Sequence, residues 1–322
     1  MTGRSYYLLV ATLLCIASQS IQAQQLSLFT QYRDNAVVLN PAAMESDFLA
    51  YNQNLTFGVS HRQQWVGLSG APSTQILRGS YINVNRSGVT LLAGGQIIND
   101  ATGPTGFTGL YGRIGGVVTS DPTYNGLSFA LSAGVVQYRV KASEITLRDD
   151  GDVIGSQNQS QLFPDVGLGV YYYQMLDGGS WDEDYFYAGI SVPQVIGLDL
   201  TFQDENGEYY TRRIQHFYGM LGLYKFLRND GFLEPSIWIK YAPNAPINAD
   251  INLRYQMPNS LWLGTGISTG KNFHMEAGFA LGENVGFDNT IRIGYGFDYS
   301  FSSFGPSAGS THEINLAISL ER

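Results

Sequence analysis

The sequence predicts an all-β fold, a transmembrane antiparallel β-barrel of about 14 strands. Three observations carry the prediction. From residue 52 onward, apolar and polar residues alternate with a period of two. Glycine and tyrosine are abundant, 38 and 21 of 322 residues, while only 14% of the chain is charged. The chain also opens on a segment built like an export signal. Alternation alone suits a soluble sandwich equally well. Low charge, long strands and export together select a barrel in lipid.

The opening segment has a positive start at Arg4, an apolar run from Tyr7 to Ala17, and a cleavage site at Ile21-Gln22-Ala23. The run is too short to span a bilayer as a helix, which takes about 20 residues. Residues 1–23 are therefore expected to be a signal peptide, and the mature chain to start at Gln24. The single cysteine, Cys15, falls inside this segment, so the mature chain holds no thiol or disulfide. Leu14, just before it, does not suit lipidation.

Residues 24–51 show no sustained period, are rather apolar, and carry a turn at Asn40-Pro41-Ala42-Ala43. They are expected to fold against or into the barrel as a plug-like segment, with a flexible periplasmic extension as the alternative. Residues 52–322 form the barrel. Strands are expected near 53–62, 73–84, 89–98, 106–118, 126–140, 164–175, 184–192, 213–226, 233–242, 248–257, 260–268, 273–282, 289–301 and 311–320. The pattern is clearest in Ile291, Ile293, Tyr295, Phe297 and Tyr299, which alternate with Arg292, Gly294, Gly296 and Asp298. An even count, with the long links 141–163 and 193–212 on the outer side and short turns on the periplasmic side, is the asymmetry of bacterial barrels. Closure follows because lipid offers no partner to the two open edges of a sheet. Tyr171-Tyr172-Tyr173, Tyr209-Tyr210 and Trp181 lie near expected strand ends, where aromatic girdles sit, with loop contacts as the alternative for some of them.

No catalytic constellation is present. His61, His216, His274 and His312 are scattered, without the spacing of metal ligands. Asp149-Asp150-Gly151-Asp152 lacks the spacing of a calcium loop. Asp204-Glu205-Asn206-Gly207-Glu208 reads as a hairpin turn by its Asn-Gly. Gly264-x-Gly266 and Gly294-x-Gly296 sit inside strands and so are not nucleotide loops. No cofactor is expected, and a net charge of −9 disfavours nucleic acid as a partner. If Leu55, Phe57 and Val59 face lipid, then Asn54, Thr56, Ser60 and Arg62 face the lumen. Arg62, Lys240, Arg254, Arg292, Asp298 and Glu313 would share that interior. Mixed signs there suit internal ion pairs or plug contacts better than a single-sign selectivity filter.

One stretch has no obvious role in a strand: Arg62, Gln63, Gln64, Trp65, Val66 and Gly67, followed by Gly70, Ala71, Pro72, Ser73 and Thr74. It resembles the PorP/SprF family of type IX secretion outer-membrane proteins. Phe29-Thr30-Gln31-Tyr32 and Leu39-Asn40-Pro41-Ala42 are similar to that family's N-terminal elements, and Gly309-Ser310-Thr311-His312-Glu313-Ile314 to its terminal strand. Two departures stand out. Asp34-Asn35-Ala36 replaces an aromatic-Asn-Pro run, and the chain ends Leu320-Glu321-Arg322, without a terminal aromatic residue.

The resemblance implies an outer-membrane barrel of the Bacteroidota that assists secretion or surface retention of adhesins and other cargo with C-terminal sorting domains. Its partners would be those domains, the translocon and periplasmic ring components, and outer-membrane lipid. The 63–72 loop, with 141–163 and 193–212, is then expected to form a partner-binding surface anchored by Trp65. The competing expectation is that this loop braces the barrel against the N-terminal segment. A passive porin or small-solute transporter is the main functional alternative.

Overall fold

The computed structural model describes residues 29–84, 89–141, 158–177, 183–196, 199–204, 207–212, 214–303 and 305–322. The expected signal peptide, Asp149–Asp152 and Trp181 lie outside the described residues. Two short helices come first, α1 (Ala36–Leu39) and α2 (Ser46–Tyr51). The strands that follow are β1 (Leu55–Gln63), β2 (Ser73–Asn83), β3 (Thr90–Thr102), β4 (Thr105–Val118), β5 (Asn125–Val140), β6 (Gln159–Asp177) and β7 (Glu183–Val192). Next come β8 (Asp199–Asp204), β9 (Gly207–Arg212), β10 (Phe217–Phe226), β11 (Phe232–Tyr241), β12 (Asn248–Gln256) and β13 (Leu261–Ser268). The chain ends with β14 (Asn272–Leu281), β15 (Thr290–Ser300), a turn of helix α3 (Gly305–Ala308), and β16 (Thr311–Leu320).

Fourteen strands close a barrel, each antiparallel to its neighbours, with β10 beside β7. The last strand returns to the first, from Leu55 opposite Leu320 to Gln63 opposite His312. The strands expected from the sequence are these fourteen. The 193–212 link carries a separate hairpin, β8–β9, as expected, in which Asp204 pairs with Gly207 at the start of β9. The two ends of the barrel chain meet at one rim, where Asn54 N–H donates to the Leu320 carbonyl and the Asn54 side chain to the Arg322 carbonyl.

Burial is inverted relative to a water-soluble protein. Leu110, Ile114 and Ile190 are 62%, 61% and 67% exposed, while Lys240 and Glu313 are 1% and 0% exposed. Aliphatic side chains outside and charges inside suit a barrel in lipid. The expected faces of β1 hold: Phe57 and Val59 point out, Thr56 and Arg62 in. The tyrosine triplet needs correcting. Only Tyr172 is exposed; Tyr171 and Tyr173 are buried in the lumen, Tyr171 near-parallel to Tyr187 at 6.0 Å. Period two dictates this, because neighbours in a strand cannot share a face.

The lumen is where the core sits. Residues 29–49 are buried throughout, and Phe29, Tyr32, Leu39, Met44 and Phe48 join inward residues of the wall in one apolar cluster. Inward glycines make room for this segment. A Cβ on Gly169 would lie 2.0 Å from Asn40 Oδ1, and one on Gly294 would lie 2.0 Å from Gln31 Oε1.

Candidate functional site

The Arg62–Thr74 stretch and the N-terminal segment meet at one charged cluster. Arg62 projects inward from β1, with Nη2 2.5 Å from Asp298 of β15 and Nη1 3.3 Å from Glu313 of β16. Thr30 joins them: its N–H donates to Glu313 Oε2 at 2.7 Å, its hydroxyl donates to Asp298, and it accepts from Arg62. The second Glu313 oxygen accepts from Gln31 N–H and the Asn35 side chain, both at 3.2 Å. A carboxylate with 0% exposure needs such a set of donors, since each unmade bond to a buried charge is costly.

The other N-terminal motif residues are anchored further along the wall. Tyr32 stacks on Trp238 at 5.2 Å, with the Lys240 ammonium 4.6 Å above its ring; Lys240 in turn pairs with Asp250. Asn40 caps its own turn by accepting from Ala42 N–H, and donates to the carbonyls of Val170 and Ile190, 3.1 and 3.4 Å away on β6 and β7. The Pro41 carbonyl accepts from Arg113 at 2.8 Å.

Arg254 and Arg292, expected as lumen charges, converge on Asp34 at 3.2 and 2.6 Å. Arg292 also reaches Asp47 at 3.2 Å, and Arg254 reaches Glu276 at 2.9 Å. Burial alone would raise the Asp34 carboxyl; Arg292, Arg254 and Arg33 outweigh it and hold Asp34 well below the usual carboxylate range. The remaining ties are Arg33 to Glu234 at 3.2 Å and Arg78 to Glu45 at 3.7 Å.

Arg33, Glu45, Asp47, Arg78, Arg113 and Glu234 were not singled out from the sequence, and Asp34 and Asn35 only as a departure from a family motif. Arg78, Arg113 and Glu234 could have been, since they fall on the inward phase of their strands. The N-terminal acids follow no period and leave no such signal.

The loop after β1 divides into a buried base and an exposed crest. Arg62, Gln64 and Pro72 are buried, Gln63, Trp65 and Ala71 half-buried, and Val66, Gly67, Leu68 and Gly70 exposed. Gln64 N–H donates to the Pro72 carbonyl, closing the loop. Val66 N–H donates to Ser310, and a Cβ on Gly67 would come within 3.2 Å of the Ala308 carbonyl, so the loop docks on the β15–β16 link. Gly70 accepts from Gly103 N–H across the β3–β4 turn, and its φ of +71° favours glycine. Trp65 also adopts a positive φ, 45°, and lines a cavity of about 160 Å³ with Arg62 and Asp298. Among the described residues, no group of three or more His, Cys, Asp or Glu is placed to hold a metal.

A closed membrane barrel with its lumen occupied by its own N-terminal segment is the class of protein these features define. The family described as type IX secretion system membrane protein PorP/SprF matches residues 21–318, and the chain belongs to it. No curated protein matches the chain. Among solved structures, the translocator domain of the autotransporter NalP from Neisseria meningitidis is 12% identical, covering 91% of this chain and 96% of its own, with a TM-score of 0.47. The CymD monoaromatic hydrocarbon channel is 11% identical over 91% of this chain and 92% of its own, TM-score 0.47. The NanC porin is 11% identical over 83% and 100%, TM-score 0.39.

Proposed function

We propose that this chain is a plugged, non-enzymatic outer-membrane barrel, exported through its signal peptide. In this reading it assists type IX secretion or surface attachment of cargo bearing C-terminal sorting domains. It works through surfaces and not through a pore. One observation supports this: residues 29–49 are buried against inward wall residues and tied to them through Arg62, Arg254, Arg292, Asn40 and Glu313. A porin keeps its interior for water and solute.

The partner surface is the crest of the 63–72 loop, where Val66 and Leu68 are 56% and 36% exposed. Exposed apolar groups on a braced loop suit a protein contact. The strand order brings the β5–β6 and β7–β10 ends to the same end of the barrel as this loop, so in this reading the 141–163 and 193–212 links extend the surface; residues 142–157 lie outside the described residues.

Two measurements test the proposal. In planar bilayers the purified protein is expected to pass no large steady current; a large open conductance would return the porin reading. Val66→Asp with Leu68→Asp is expected to lower cargo at the cell surface while the barrel keeps its heat-modifiable gel mobility. Unchanged cargo with an intact barrel would remove the loop from the binding surface.

A further inference from the structure

The wall of β1–β5 carries an outward polar row at the rim away from the chain termini. His61, Gln75, Asn99, Thr108 and Gln137 lie directly opposite one another from strand to strand. The row one step inward is entirely aliphatic: Val59, Leu77, Ile97, Leu110 and Val135. The polar row is stitched together, with Asn99 donating to Gln75 at 3.2 Å and Thr108 to Asn99 at 2.9 Å.

Arg139 stands just beyond this row on β5, exposed and facing outward. Its Nη2 donates to Asn99 at 3.3 Å and to Thr108 at 3.0 Å, which fixes the guanidinium against the wall. Among the described strand side chains, the other outward charges are Asp184 and Lys225, which neutralise each other at 2.6 Å near the opposite rim. Arg139 has no carboxylate partner among the described residues. A cation held at the edge of an apolar band, in a chain of net charge −9, is matched by the headgroup of an anionic lipid.

The surface leading away from Arg139 suits the rest of such a lipid. Along the outward stripe of β5 come Val135, Ala133, Leu131 and Phe129, and the last two line an outward apolar groove of about 920 Å³ shared with Leu168 and Ile190. Arg139 and Leu131 are eight positions apart, roughly 27 Å along the strand.

We propose that Arg139, positioned by Asn99 and Thr108, binds the phosphate of an anionic membrane lipid whose acyl chains lie down the β5 face. The site is independent of the cargo reading. The full protein, in nanodiscs of mixed phosphatidylcholine and phosphatidylglycerol, is released for native mass spectrometry. It should retain phosphatidylglycerol in preference by about fivefold, the worth of one surface cation.

Arg139→Gln should abolish the preference and leave gel mobility unchanged. Thr108→Val with Asn99→Ala, which keeps the charge but frees it, should weaken the preference. Lys271→Gln, removing another exposed cation, should not change it. Equal retention of the two lipids by the parent protein, or an equal loss in Lys271→Gln, would overturn the site. Displacement by glycerol phosphate as readily as by the lipid would show a free-phosphate site and overturn the lipid assignment.

Discussion

Arg62→Gln is the sharpest probe of how the N-terminal segment is held. Arg62 is the cation between Asp298 at 2.5 Å and Glu313 at 3.3 Å, and all three side chains are nearly or fully buried. Removing it leaves two carboxylates facing each other in a closed lumen, with only Thr30, Gln31 and Asn35 to bond them. Breaking a buried pair from one side costs about 3–5 kcal/mol. Coulomb's law gives a similar scale, about 4 kcal/mol for charges 4 Å apart at an effective dielectric of 20. Urea unfolding of the full protein in lipid vesicles reads the cost. The companion Asp298→Asn removes the repulsion, so the double variant should cost less than the sum of the singles by about 1–3 kcal/mol.

A second readout locates the effect. The only native cysteine is Cys15, in the expected signal peptide, so Ala43→Cys places a single thiol at a position with 0% exposure on the N-terminal segment. A water-soluble maleimide should label it slowly in the parent and about a hundredfold faster with Arg62→Gln, since local opening scales with the free energy lost. A cost below about 1 kcal/mol, strict additivity with Asp298→Asn, or unchanged thiol protection would refute the assignment of Arg62 as the clasp.

Other variants test separate links. Asp34 is held below the normal carboxylate range, so its contribution is present above the unfolded value near 3.9 and is lost as pH falls through the lower folded value. Asp34→Asn should therefore flatten the acid side of the stability curve and cost about 3 kcal/mol at neutral pH, by the same unfolding assay. Asn40→Ala deletes two bonds to the β6–β7 wall and should cost about 1–3 kcal/mol. Gly169→Ala, whose methyl would meet Asn40, should cost a similar amount alone and less when combined with Asn40→Ala. Glycine facing lipid makes the contrast: a Cβ on Gly112 meets nothing within 4 Å, so Gly112→Ala should stay within about 0.5 kcal/mol of the parent.

The barrel was legible because lipid imposes a strict rule on each strand. Alternation in 291–299 assigned Arg292 and Asp298 inward and Ile293 and Tyr295 outward, and the structure places them so. The Asn-Gly at 206–207 announced the β8–β9 hairpin, in which Gly207 pairs with Asp204 at the start of β9. The tyrosine triplet misled because adjacency suggested a girdle, whereas the pleat sends Tyr171 and Tyr173 to the lumen and Tyr172 to lipid. The N-terminal segment was opaque for a different reason. Its helices are four and six residues long, and every side chain faces some part of a surrounding wall. A segment enclosed on all sides has no solvent face, and so no period to read.

Asp34-Asn35-Ala36 shows what that enclosure does to a motif. As sequence it departs from the expected aromatic-Asn-Pro run and has no evident purpose. In the structure each of its polar residues is a junction: Asp34 joins Arg254 to Arg292, and Asn35 joins the Gln31 carbonyl to Glu313 while accepting from Ser60. The N-terminal acids Asp34, Glu45 and Asp47 meet wall arginines, and Arg33 meets a wall glutamate. Desolvation offsets much of the attraction in such pairs, while removing one partner leaves the other charge buried and uncompensated. Arg62 pairs with the wall acids Asp298 and Glu313, reaches the N-terminal segment by donating to Thr30, and also starts the loop whose crest is exposed at the rim away from the chain termini. The residue that first stood out as foreign to a strand is thus the point where the exposed loop and the buried segment share a bond network.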